Sequence, residues 1–91
     1  MDARVWKFEF DIEDPLTIKM PQGARVLHVD LQDGLPCMWA LVDASEPLVA
    51  RKFRIIGTGH PIKDIAKLTY LTSFQMSDGE LVWHVFEPRL T

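Results

Sequence analysis

Apolar and polar residues alternate along most of this chain. From Trp6 to Ile12 the apolar positions are Trp6, Phe8, Phe10 and Ile12, with Lys7, Glu9 and Asp11 between them. A period of two belongs to a strand with one buried face, so the pattern predicts a strand over 4–12 that points three aromatic rings at a core. Glu13-Asp14-Pro15 breaks the pattern as a turn. Leu16, Ile18 and Met20 mark a short second strand, and Pro21-Gln22-Gly23 turns the chain again. Arg25 to Gln32 is the third strand, with Leu27, Val29 and Leu31 on its apolar side. Asp33-Gly34 is a hairpin signal. Pro36 to Val42 follows, and here both faces are apolar, as expected of a strand covered on both sides.

After the polar loop Asp43–Pro47, Leu48-Val49-Ala50 leads into a strand at 51–56, where Phe53 and Ile55 alternate with Lys52 and Arg54. Lys63 to Lys67 has room for one helical turn, too short to stand alone, and is read as irregular. Tyr70–Gln75 and Leu81–Phe86 form a last hairpin closed by Ser77-Asp78-Gly79-Glu80. Short strands with a turn about every ten residues predict an all-β fold, a small antiparallel barrel or sandwich of six to seven strands. The expected core is Trp6, Phe8, Phe10, Leu27, Val29, Trp39, Phe53, Ile55, Phe74 and Trp83. Val26, Met38, Val42, Ile56, Val82 and Phe86 then lie on opposite faces and need a second layer or a second subunit, which predicts a homodimer.

Length and composition narrow the picture. The 91 residues make a single domain, 1–91, and 47% of them are hydrophobic, enough for a core and too many for a disordered chain. No apolar run approaches the roughly 20 residues of a membrane span, and the first residues are no signal peptide. The single cysteine, Cys37, excludes an internal disulfide, so a reducing cytoplasm is the expected compartment. Formal net charge is −3. One stretch is basic within this acidic chain: residues 51–67 hold Arg51, Lys52, Arg54, Lys63 and Lys67 against Asp64 alone. Such a spot attracts a compact anion but is too small for a duplex-binding face, which argues against a nucleic-acid partner.

That basic stretch contains the most unusual phrase in the chain, Gly57-Thr58-Gly59-His60-Pro61-Ile62. The glycines permit backbone conformations that a Cβ forbids and let N–H groups approach a ligand. His60 precedes a proline and is held extended. Lys52 and Arg54 share one strand face, and Arg54 can grip a phosphate or carboxylate with two parallel bonds. The expected ligand site is therefore Lys52, Arg54, Gly57, Thr58, Gly59, His60 and Lys63, around a small anion. The rival account makes the phrase a corner of the fold, with its basic groups meeting the acidic N-terminal half.

Other candidates are weaker. Gly57-Thr58-Gly59 lacks the ending of a P-loop and any following helix. His28, His60 and His84 match no metal-ligand spacing, so no metal and no cofactor are expected. His28 and His84 fall at outward strand positions, where a half-buried, hydrogen-bonded role is ordinary. Cys37 lies in a covered strand, where a thiol is inert. The aromatic side chains that could stack on a base are needed for the core.

Several phrases together resemble a known family. They are Val5-Trp6-Lys7-Phe8-Glu9, Met20-Pro21-Gln22-Gly23-Ala24, Pro36-Cys37-Met38-Trp39-Ala40-Leu41-Val42-Asp43, Phe53 to Ile62, and Val82-Trp83-His84-Val85-Phe86-Glu87. The family consists of small proteins seen in bacteriophages and bacterial genomes, known only as a domain of unknown function. The resemblance spans nearly the whole chain. It implies phage or prophage origin, hence a host-cell cytoplasm, and supplies no catalytic residue.

Two functions are expected from these readings. The first is a non-enzymatic phage accessory protein that binds a host protein or a small anionic, nucleotide-like ligand, and so inhibits a host defence component. The second is a small enzyme that uses His60 as acid–base while Arg54 and Lys52 hold an anionic substrate. The first is preferred, because no paired carboxylates or triad order can be read.

Overall fold

The computed structural model of the chain describes residues 1–89. Seven strands follow one another: β1 (Ala3–Glu9), β2 (Leu16–Pro21), β3 (Arg25–Gln32), β4 (Leu35–Asp43), β5 (Leu48–Gly57), β6 (Leu68–Met76) and β7 (Leu81–Pro88). Single 3-10 turns sit at Ile65–Lys67 and Ser77–Gly79. The strands form two antiparallel sheets, ordered β1-β4-β3 and β2-β5-β7-β6. Both strand orders are open, so no sheet closes into a barrel.

Local chemistry explains the hairpins. Asp33 and Gly34 take φ of 53° and 79°, the two left-handed residues of a type I′ turn, whose twist matches that of the strands it joins. Ser77, Asp78 and Gly79 also take positive φ and close β6 on β7.

The central strand of the larger sheet changes partner along its length. Residues Leu48–Phe53 of β5 pair with β2, while Arg54–Gly57 pair with β7 on the opposite edge. Each half of β5 therefore leaves one edge without a strand beside it. Beyond Leu16 the gap is bordered by the β1–β2 connection, and beyond Phe86 by the end of β7.

One core joins the two sheets. It contains Phe10, Leu16, Met20, Val29, Met38, Ala40, Val42, Phe53, Ile55, Phe74 and Val85, with Trp6, Phe8 and Trp83 packed against it. Two expected core residues lie elsewhere. Trp39 is only half-buried on the opposite face of β4, stacked on His28 with ring centroids 5.8 Å apart, and Leu27 is 46% exposed. For β4 the cause is fit across the ladder. Trp6 pairs with Ala40 and Phe8 with Met38, so the bulky rings of β1 meet a small and a pliable residue. That choice turns Met38, Ala40 and Val42 inward and Trp39 and Leu41 outward. For β3 the cause is a bulge between Val26 and His28, which makes Leu27 the extra residue.

Of the six apolar side chains expected to need cover, all but Val82 pack in or against a cluster within the chain. Met38 and Val42 are core residues, and Ile56 and Phe86 form a second cluster with Leu68 and Ile62. From the segment after the Gly57 corner, Ile62 packs against this second cluster.

Phe10 is 8% exposed and meets Phe74 edge to face at 6.1 Å. Phe10→Ala should cost about 3–5 kcal/mol in a denaturant melt; a near-neutral result would overturn its place in the core. A second expectation concerns the loop after β4. Asp43 Oδ1 accepts from the Ser45 hydroxyl at 2.5 Å and from the Ser45 and Asp2 backbone N–H groups at 3.0 Å each. These bonds, the hydroxyl foremost, hold its carboxyl at a pKa of about 2 rather than 3.8. Because the folded value is depressed, the clamp acts fully above the unfolded value and fades as pH falls toward 2. Ser45→Ala should move the Asp43 titration upward in carboxylate NMR, and an unmoved value would refute the clamp.

Candidate functional site

The Gly57-Thr58-Gly59-His60 phrase is a tight turn at the end of β5. The His60 N–H donates to Gly57 O at 3.0 Å, and Gly59 has a φ of 86°, which a Cβ would disfavour. Gly57 serves a different end, because its φ is not positive. A Cβ there would stand 3.2 Å from the His60 ring and 3.3 Å from Trp83 Cζ3, so its absence lets imidazole and indole close over the backbone. The Thr58 N–H donates to Val82 O at 3.2 Å. Two of the backbone donors expected to cradle an anion are therefore bonded within the fold.

A cleft of about 380 Å³ opens beside this turn, where the second half of β5 has no strand next to it. Ile12, Glu13 and Asp14 of the β1–β2 connection form one bank, His60 and Pro61 the other, and Trp83 contributes to the wall. Trp83 Nε1 is buried and has no hydrogen-bond partner among the described residues. An orphaned buried donor costs about 1–3 kcal/mol, the kind of strain that marks functional ground.

The expected site residues divide among three surroundings. Arg54 does not line the cleft and is held by a residue that does: its Nε donates to Asp14 Oδ1 at 2.5 Å and its Nη2 to Asp14 Oδ2 at 3.0 Å. That two-pronged bond, above all, raises the guanidinium pKa above its ordinary value. For Arg54 the meeting of basic stretch and acidic N-terminal half is therefore real. Lys52 lines a second, larger cleft of about 690 Å³, where the first half of β5 and the end of β7 part. Arg51 spans that gap, donating to Glu87 Oε2 at 2.7 Å and to Ala24 O at 2.8 Å. Lys63 is exposed on the segment that follows the corner.

Thr58 faces a third setting. Its Oγ1 lies 2.7 Å from His84 Nε2, His84 Nδ1 lies 2.8 Å from Ser73 Oγ, and Ser73 Oγ lies 2.7 Å from the Tyr70 hydroxyl. The three histidines stand apart: His28 on β3 against Trp39, His84 in this hydroxyl chain, and His60 on the turn. Among the described residues no three His, Cys, Asp or Glu side chains gather as a metal set, and no helix is long and apolar enough to cross a membrane.

Sequence reading missed Glu13, Asp14 and Trp83 at the cleft, and Ser73 and Tyr70 beside His84. The acidic Glu13-Asp14 pair facing the one basic stretch was the available signal for the first group. A bulge between Tyr70 and Thr72 conceals the second group. In a regular strand residues three apart face opposite ways, and the bulge puts Tyr70 and Ser73 on one face.

The two glycines should respond differently. Gly59→Ala should cost about 1–2 kcal/mol through backbone strain alone, since nothing else lies within 4 Å of the new methyl group. Gly57→Ala should leave the backbone in place and displace the His60 ring, seen as shifted imidazole resonances. Equal effects of the two on melting, with His60 unmoved, would refute the separate roles.

Comparison with curated proteins and with solved structures gives no match. The whole sequence, residues 1–91, fits the family described as a domain of unknown function, DUF7352, and the chain belongs to it.

Proposed function

We propose that this domain is a binding module, a small β-sandwich that takes a nucleotide-like ligand into the cleft beside the Gly57–Pro61 corner and does no chemistry there. The observation that carries the reading is the cleft itself. It sets His60, a residue singled out from the sequence, across from Asp14, the partner of Arg54, around a tryptophan with an unpaired buried donor. Its volume of about 380 Å³ falls within the roughly 300–1,000 Å³ of small-molecule pockets. Imidazole, indole and the Pro61 ring offer flat apolar surfaces for a planar heteroaromatic group. Glu13 and Asp14 accept from exocyclic amines. Arg54, held by Asp14 at the edge of the cleft, is the positive charge offered to a phosphate, which competes with Asp14 for it.

The family resemblance supports a phage or prophage origin. In that setting, capturing a small signalling nucleotide would disarm a host defence component from within the host cytoplasm. A protein partner is the second reading, and a different surface favours it. Val5, Leu27 and Leu41 stand 58%, 46% and 40% exposed on the smaller sheet, and a second copy of the chain is the simplest cover. Leu41→Asp should leave a monomer in light scattering where the parent is a dimer; a monomeric parent would overturn this reading.

The ligand reading is tested by melting the protein against a panel of mono-, di- and cyclic nucleotides. A binder present at about 100 times its Kd should add about 2.7 kcal/mol to stability. His60→Ala should abolish that gain while leaving the unliganded melting temperature unchanged. No gain across the panel, or a gain that survives His60→Ala, would overturn the site.

A further inference from the structure

We propose that Ser73 and His84 form a nucleophile–base pair on the outer face of the larger sheet, competent to accept an acyl group from a small activated ester. The hydroxyl chain around His84 has a direction. Thr58 Oγ1 lies 3.4 Å from Val82 O, and a carbonyl only accepts, so Thr58 donates there. Thr58 then accepts from His84, which places the imidazole proton on Nε2. His84 Nδ1 is left with its lone pair, and Ser73 Oγ, 2.8 Å away, donates its proton to it. The remaining lone pairs of Ser73 face the Tyr70 O–H at 2.7 Å. This assignment, which puts the imidazole proton on Nε2, gives every member of Tyr70–Ser73–His84–Thr58 a donor or acceptor role.

The arrangement meets the geometric requirements for an activated hydroxyl. The nucleophile is bonded to a base, and a third group orients the base through its other nitrogen. The groups sit on paired strands, with Ser73 directly opposite His84 in the β6–β7 ladder. The β6 bulge adds Tyr70 to the same face. Ser73 and His84 are half-buried and Tyr70 is 55% exposed, so an ester carbonyl can reach them. The cleft residues Glu13, Asp14 and His60 play no part in this chain, and the proposal is independent of ligand capture there.

The chemistry is closed within the chain. Ser73 Oγ attacks the ester carbonyl carbon and forms a C–O bond as its proton passes to His84 Nδ1. The Tyr70 O–H, freed from Oγ, donates to the carbonyl oxygen as that oxygen gains negative charge. The intermediate collapses by breaking the bond to the leaving oxygen, which takes the proton from Nδ1 and departs as an alcohol or phenol. Water then attacks acyl-Ser73, giving its proton to Nδ1. Collapse releases a carboxylic acid and returns that proton to Ser73. Thr58 is a positioning residue, acting only through His84.

The test treats the full chain with p-nitrophenyl acetate and, separately, with an alkyl fluorophosphonate, and locates adducts by peptide mass spectrometry. One adduct per chain on Ser73 is expected, with a burst of p-nitrophenol. Ser73→Ala should remove the adduct, and His84→Gln should slow its formation about 100-fold, the scale of general-base assistance. Thr58→Val should slow it as well, and Thr58→Ser should restore it, a rescue that separates positioning from a loss of folding. Circular dichroism on each variant confirms the fold, which surface substitutions should preserve. An unlabelled Ser73 in the folded parent, or a rate unchanged by His84→Gln, would overturn the proposal.

Discussion

A strand has two hydrogen-bonding edges, and β5 uses them on different halves of its length. Leu48–Phe53 bond to β2 on one side, and Arg54–Gly57 bond to β7 on the other. Backbone groups cannot remain unpaired in a dry interior, so the two open edges must fall where solvent or side chains reach them. Both larger clefts follow from this division. One borders Ile55 and Ile56 and is closed by the Arg54–Asp14 pair; the other borders Ala50 to Lys52 and is bridged by Arg51. The basic residues of the central strand therefore stitch the sheet at the places where its ladder stops.

The limits of the sequence follow the same physics. Strands were legible because alternation is local, and Asp33-Gly34 announced its turn because positive φ at two positions demands those residues. The Gly57–Pro61 corner stood out for the same reason. The facing of β4 was not legible, because both of its sides are apolar and the choice depends on Trp6 and Phe8, thirty or more residues before their partners. Leu27 was placed inward because a bulge leaves no mark in the hydrophobic pattern. Arg54 read either as an anion ligand or as a partner of the acidic N-terminal half, and the choice was not legible because Asp14, its partner, lies in a turn remote in sequence.

The histidines show the difference between a conspicuous residue and a well-connected one. His60 sits between glycine and proline in the most distinctive phrase of the chain, and its ring packs over Gly57 with its backbone bonded in a turn. His84 stands in an ordinary alternating strand, yet both of its ring nitrogens are engaged by hydroxyls from different segments. The corner that the sequence marks thus has two sides: His60 turns toward the cleft and Thr58 toward His84.

The division of β5 also governs how the molecule can assemble. Only the β3–β4 and β6–β7 hairpins join neighbours in the chain. Ala3 must find Asp43, Leu16 must find Phe53, and Arg54 must find Phe86. Closing such long loops before any contact rewards them makes a topology slow to fold, in the range of about milliseconds to seconds. β5 cannot reach its final state until β2 has arrived on one edge and β7 on the other. The cleft banked by Asp14 and His60 needs both arrivals, and so exists only in chains that have completed the fold.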